Sequence, residues 1–150
     1  MSKTSTMETA SYEALKLENQ FCFPLYACAR QVVRLYTPYL NELGITYTQY
    51  ITLMVLWEKG DVPIKELTKA LYLDTGTMTP LLRKMEQNGL ITRTRSKEDE
   101  RVVTISLTDK GWALREKAAS IPAAVGSCID LPQEDAQKLY QTLYQILNAL

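Results

Sequence analysis

Hydrophobic periodicity changes partway along this chain, and the change limits the folds it can reach. Apolar residues recur at helical spacing except in two short runs, residues 91–96 (ITRTRS) and 101–107 (RVVTISL), where they alternate with polar ones. A period of two predicts strands, and the polar stretch KEDE between them predicts a turn. The pair makes a hairpin with a charged tip.

The helical pattern surrounds it. Over residues 15–43 the apolar positions Phe21, Leu25, Ala29, Val32, Tyr36 and Leu40 fall on helical spacing, and Gly44 supplies a stop. Thr46 caps a second helix, 47–59, whose ITLMVLW is almost wholly apolar, so it is expected to be buried on most sides. Gly60 and Asp61 make a turn, and Pro63 suits the first turn of a short helix, 64–70. Asp74 or Thr75 can cap a fourth helix, which Asn88 and Gly89 end. After the hairpin, helical signals run to Ala119, and Pro122 and Gly126 interrupt them. Leu131 and Pro132 then open a last helix, 133–150, with a near-heptad seam at Ala136, Leu139, Leu143, Ile146, Leu147 and Leu150.

Two short helices followed by a hairpin are the layout of a winged helix-turn-helix. The expected fold is therefore mainly α with a small β-hairpin wing. Long helices from both ends of the chain are left to pack elsewhere, most simply in an intertwined homodimer. Residues 1–14 read as a flexible polar tail and 15–150 as a single domain. Within it, the winged helix-turn-helix takes about 46–107 and the dimerisation helices about 15–43 and 108–150.

Composition narrows the chemistry. The chain has no histidine, which removes Ser-His-Asp and Cys-His catalysis and every histidine-containing zinc site. Three cysteines are too few for a four-thiolate zinc site, and their odd number favours free thiols in a reducing cytoplasm. No glycine-rich nucleotide motif is present. The reading is of a protein that is not an enzyme and needs no cofactor. No run of ~18 apolar residues predicts a membrane span, and the N-terminal stretch lacks the apolar core of a secretion signal. Net charge is zero, so a nucleic-acid role requires a local basic surface.

Such a surface is present. The fourth helix carries Thr75, Thr77, Thr79, Arg83 and Lys84, small hydroxyls and cations that can approach base edges and phosphates. The hairpin carries Arg93, Arg95, Lys97 and Arg101. Between Arg83 and Lys97 five basic residues face one acid, Glu86. Alternating charges on a hairpin can merely keep it soluble. Their coincidence with the order of elements points to double-stranded DNA.

The segment LYLDTGTMTPLLRKMEQNGLITRTRSKEDERVVTISLTDKG resembles the recognition helix and wing of MarR-family regulators. DERVVTISLT is similar to that family's wing signature, which implies that Asp99 and Arg101 brace the hairpin and that Arg95 enters the minor groove. ITYTQYITLMVLWE and LENQFCFPLYACAR resemble the organic-hydroperoxide-sensing (OhrR-like) branch, and the likeness covers roughly residues 17–150.

In that branch the cysteine of LENQFCF is the peroxide-reactive thiol, which implies the role for Cys22. Tyrosine hydroxyls hold the thiolate across the dimer, and the matching positions are Tyr36 and Tyr47. Tyr26 lies one turn beyond Cys22 on the same helix face. Only a thiolate attacks peroxide, and phenol donors near a helix N-terminus favour it without histidine. The implied function is a repressor that leaves its operator when an organic hydroperoxide oxidises Cys22. By location alone, Cys128 matches a second cysteine that resolves the sulfenic acid across subunits. A small thiol forming a mixed disulfide is the other endpoint.

Other readings stay open on the residues themselves. Cys22 could be a packing residue. The tyrosines could line a pocket for a phenolic ligand. A small thiol peroxidase has weaker support, since the arginines near Cys22 in the chain are Arg30 and Arg34. Cys28 lies ~9 Å along a helix from Cys22 and ~240° around it, too far for a disulfide, and is expected to pack. Pro24 requires either that the helix begin near Phe21 or that it kink there.

Overall fold

A computed structural model describes residues 12–150. The first long helix is shorter than its apolar pattern suggests. A 3-10 turn spans Leu17–Asn19, Gln20 is extended, and α1 is Cys22–Leu43 with Phe21 as its N-cap. The side chains of Asn19 and Gln20 explain the break. Asn19 donates to the Glu13 carbonyl (2.8 Å), and Gln20 donates to the carbonyls of Ala14 and Lys16. These bonds hold the preceding turn in place instead of letting it continue the helix. Pro24 consequently falls in the first turn of α1, where a missing N–H costs nothing. The kink is not needed.

Residues 1–11 of the expected tail lie outside the described residues. Residues 12–14 are already turned, with the Leu15 and Lys16 amides donating to Tyr12 and Glu13.

α2 (Tyr47–Lys59) opens with a capping box in which Thr46 and Gln49 satisfy each other's backbone N–H groups. Gln49, Tyr50, Thr52, Leu53 and Leu56 are buried on it, while Met54 is exposed. Next comes a strand that the sequence pattern did not reveal, β1 (Val62–Pro63), paired antiparallel with the second hairpin strand as Val62↔Ile105 and Pro63↔Thr104. A two-residue strand has no period to detect. Pro63 tolerates the position because β1 is an edge strand, and it also serves as N-cap of the following helix.

That helix is α3 (Ile64–Leu71), followed by α4 (Thr75–Gln87), β2 (Ile91–Arg95), β3 (Val103–Leu107) and α5 (Asp109–Ala118). β2 and β3 pair as Ile91↔Leu107, Arg93↔Ile105 and Arg95↔Val103. β3 is therefore central in a three-stranded sheet of order β1-β3-β2. The strands end earlier than their alternation implies: Ser96, Arg101 and Val102 belong to the tip, where Val102 donates to the Asp99 carbonyl (2.9 Å).

The core lies between α2, α3, α4 and the sheet. Leu53, Leu56, Leu67, Met78, Leu82, Met85, Leu90, Ile91 and Ile105 are among its fully buried members. Met78, Leu82 and Met85 share one face of α4, so the opposite face carries the threonines and cations outward.

The described chain divides into two compact units, one ending at Ala118 and the other Ala119–Leu150. The second contains α6 (Ile121–Gly126) and α7 (Gln133–Ala149). α1 buries Leu40 alone, and α7 buries nothing. Phe21 and Tyr26 on the first side, and Leu139, Tyr140, Tyr144 and Leu147 on the second, are exposed apolar side chains of amphipathic helices. No described helix is long and apolar enough to cross a membrane.

Candidate DNA interface and thiol site

Asp74, not Thr75, caps α4. Its Oδ1 accepts the Thr77 N–H (2.8 Å) and its Oδ2 accepts the Thr77 hydroxyl (2.9 Å). These bonds hold the Asp74 carboxyl below the usual carboxylate range. The Thr79 hydroxyl donates to the Thr75 carbonyl (2.9 Å). Thr77 and Thr79 thus spend their protons inside the helix and present oxygens that can still accept, an arrangement suited to amino groups on base edges. Thr75, Arg83 and Lys84 are exposed beside them.

The hairpin cations do not stand alike. Arg93 turns back on α4, donating from Nε (2.8 Å) and Nη2 (2.6 Å) to Glu86 Oε2. This bond holds the Glu86 carboxyl below its usual range. Arg95 donates to the Glu100 carbonyl (3.2 Å), and Lys97 is exposed at the tip. Asp99 Oδ1 accepts both the backbone N–H (3.1 Å) and Nε (3.3 Å) of Arg101, while the Ser96 hydroxyl oxygen accepts the N–H groups of Glu98 and Asp99. The tip is therefore closed by its own side chains. The Glu86–Arg93 pair escaped sequence reasoning, although Glu86 had stood out as the one acid in the basic stretch.

Cys22 is the first residue of α1 and is exposed. Four residues on, the Tyr26 hydroxyl accepts a hydrogen bond from Arg30 Nη1 (3.2 Å), with the guanidinium carbon 5.5 Å from the ring centre. Phe23, Tyr26, Ala27, Arg30, Gln31 and Arg34 line an open groove on this helix. Farther along, Tyr36 packs edge-on against Tyr47 (5.0 Å between ring centres) and lies 5.8 Å from Tyr50. Tyr50 continues the cluster to Trp57, whose indole N–H donates to the Gly111 carbonyl (3.0 Å). Burial, and then the neighbouring Tyr36, push the Tyr47 and Tyr50 phenols up, so both stay protonated donors. Tyr50 and Trp57 are additions to the cluster that the sequence reading had not assigned.

Fourteen residues of continuous helix put Tyr36 ~21 Å along the axis from Cys22. One protomer therefore does not bring Cys22 together with the Tyr36–Tyr47 pair. Cys28, expected to pack, is exposed in the protomer. Cys128 lies between α6 and α7, also exposed, with its thiol directed at the Ala124 carbonyl (3.4 Å).

Residues 34–118 match the family model described as transcriptional regulator SarA/Rot. The chain belongs to this family of MarR/SarA-type winged-helix regulators. The chain is 48% identical over 139 residues to the organic hydroperoxide resistance transcriptional regulator of Bacillus subtilis, covering 93% of this chain and 95% of that one. Reduced AbfR bound to DNA superposes with a TM-score of 0.74 at 34% identity, covering 94% of this chain and 98% of that one. The disulfide-formed structure of AbfR, a Staphylococcus epidermidis protein, gives 0.63 at 33% identity, covering 96% and 99%.

Proposed function

We propose that this regulator is a homodimeric repressor that holds double-stranded operator DNA while Cys22 is reduced and releases it when an organic hydroperoxide oxidises Cys22. The observation that carries the reading is the exposed thiol at the first residue of α1, in a chain 48% identical to a regulator of organic hydroperoxide resistance. Only a thiolate attacks peroxide, and an exposed thiol is within a peroxide's reach.

The step balances simply. The thiolate sulfur attacks the terminal peroxide oxygen, the O–O bond breaks, and a proton converts the departing alkoxide to an alcohol. Sulfur is oxidised by two electrons to the sulfenic acid. A second thiol, Cys128 of a second copy or a small cytoplasmic thiol, then forms a disulfide and releases water. The reaction is stoichiometric, which is what separates a sensor from a peroxidase.

Dimerisation serves both ends of the mechanism. The open apolar faces of α1 and α7 need a partner, and a second copy would carry Tyr36 and Tyr47 to a thiol that its own protomer leaves ~21 Å away. Two recognition helices are also what half-sites one DNA turn apart require. On DNA, α4 enters the major groove with Thr75, Thr77, Thr79, Arg83 and Lys84, and the wing places Arg95 and Lys97 on the backbone or minor groove. Asp99 and Arg101 keep its tip in shape.

The test is binding to a duplex selected by the wild-type protein from a random pool, with and without cumene hydroperoxide. Wild type should be released, and Cys22→Ser should bind and stay bound, because serine keeps the size and loses the redox chemistry. Release of the Cys22→Ser protein by peroxide as readily as wild type would sink the proposal.

A further inference from the structure

Three helix ends in this chain close with the same pair of backbone hydrogen bonds. At the end of α1, Gly44 N–H donates to the Asn41 carbonyl and Ile45 N–H to the Leu40 carbonyl, both at 3.1 Å. At the end of α4, Gly89 N–H reaches the Glu86 carbonyl (2.9 Å) and Leu90 N–H the Met85 carbonyl (3.0 Å). At the end of α3, Tyr72 N–H reaches the Lys69 carbonyl (3.4 Å) and Leu73 N–H the Thr68 carbonyl (3.1 Å). The closure needs a left-handed residue at its corner, and the corner φ values are 68°, 70° and 53°.

Two of the corners are glycine. The third is Tyr72, the one non-glycine residue with positive φ among the described residues. In that conformation a Cβ crowds the following carbonyl, so tyrosine is strained where glycine is not. Burial does not compensate, because Tyr72 is 57% exposed. The same chain thus uses glycine twice for this geometry and a strained, exposed aromatic once. The exception sits in the turn between α3 and α4, directly before the recognition helix.

We propose that Tyr72 is a DNA-contact residue, its ring against the sugar-phosphate backbone and its hydroxyl donating to a phosphodiester oxygen beside the groove that α4 enters. The inference rests on the DNA-binding reading above. Tyrosine hydroxyls are among the groups that fix a protein's register on a duplex through phosphates, and the segment before a recognition helix lies where the chain passes the backbone. The adjacent acid does not oppose this, since both Asp74 oxygens are turned into the α4 N-terminus by Thr77. A strained residue at a functional site, with its return outside the protomer, accounts for the departure from glycine.

The experiment measures thermal stability and DNA affinity over a range of salt for full-length wild type, Tyr72→Gly, Tyr72→Phe and Arg95→Ala, on the selected duplex. Tyr72→Gly should raise the melting temperature by about 3 °C as the strain is released, yet weaken DNA binding about tenfold. Tyr72→Phe should weaken it about threefold. Neither should change the salt slope, since a neutral hydroxyl displaces no counterion, whereas Arg95→Ala should lower the slope by about 1. Wild-type affinity in Tyr72→Gly overturns the inference while an effect of Arg95→Ala leaves the DNA reading intact. A lowered melting temperature in Tyr72→Gly also overturns it, because the tyrosine would then be supporting the fold. If wild type selects no duplex at all, the DNA reading fails and the inference falls with it.

Discussion

Arg93 on β2 and Glu86 on α4 tie the wing to the recognition helix, through two guanidinium donors at 2.8 and 2.6 Å on a single carboxylate oxygen. A cation held this way is expected to position the wing and not to neutralise a phosphate. Arg93→Ala and Glu86→Gln should each weaken DNA binding by about two- to fivefold, and the double variant should cost no more than either single one. The measurement is a double-variant cycle with affinities taken at several salt concentrations. Arg93→Ala should leave the salt slope unchanged, whereas loss of a phosphate contact lowers it by about 0.9. A reduced slope in Arg93→Ala would return that residue to the DNA surface.

Gly111 should tolerate no side chain. A Cβ there would stand 2.2 Å from the Leu90 carbonyl oxygen and 2.9 Å from Leu107 Cδ2, and backbone cannot swing aside as a side-chain tip can. The Gly111 carbonyl also receives the Trp57 indole N–H. Gly111→Ala is expected to cost about 2 kcal/mol or more of stability by urea unfolding. Wild-type stability in this variant would mean that α5 does not approach the end of α4 so closely.

Stability should fall at both ends of the pH scale, for opposite reasons. Asp74 and Glu86 have carboxyls held below their unfolded values, so their contribution is present above pH ~4 and lost as pH falls through the folded values. Tyr47 and Tyr50 have phenols held above theirs, so their contribution is present below pH ~10 and lost as pH rises past it. Thermal unfolding across pH should show Asp74→Ala flattening the acid limb and Tyr47→Phe flattening the alkaline one. Limbs unaltered by these substitutions would assign the pH dependence to other groups.

Subunit mixing tests where the tyrosines act. Tyr36→Phe and Tyr47→Phe should each slow alkylation of Cys22 at neutral pH by about threefold or more, through loss of one hydrogen bond to the thiolate. In a mixed dimer of Tyr36→Phe with Cys22→Ser, the remaining thiol meets the intact Tyr36 of the partner subunit and should react at the wild-type rate. A slow rate in that mixed dimer would place the tyrosine's effect within its own protomer, against the ~21 Å helical separation.

Cys128 can be assigned by mass. If it resolves Cys22, peroxide should yield a covalent dimer on non-reducing gels that Cys128→Ser abolishes. Oxidised monomer carrying one oxygen or a small-thiol adduct, with no crosslinked species, removes Cys128 from the mechanism.

Most of the helices, the hairpin and the thiol motif were legible in the sequence because each is written in local terms, whereas α6 formed where Pro122 and Gly126 had read as an interruption. Periodicity marks α2 and β2, Asp74 and Gly89 punctuate α4, and LENQFCF stands as a contiguous motif. The start of α1 was not legible, since it depends on two amide side chains folding back on the preceding turn. β1 was invisible because a two-residue strand exists only through its partner, Ile105 and Thr104 on β3.

The sequence by itself determined which residues are apolar, where the chain can cap or turn, and that a thiol stands in the first long helical stretch of a chain without histidine. Only the tertiary structure decided where each wing cation turns. Arg93 and Arg95 are chemically identical and two residues apart, yet one is drawn to Glu86 and the other to the Glu100 carbonyl. It also decided that Tyr36 and Tyr47 meet each other and not Cys22, and that a tyrosine stands at a glycine corner. Each of these depends on distances across elements, and a local pattern carries no such distance.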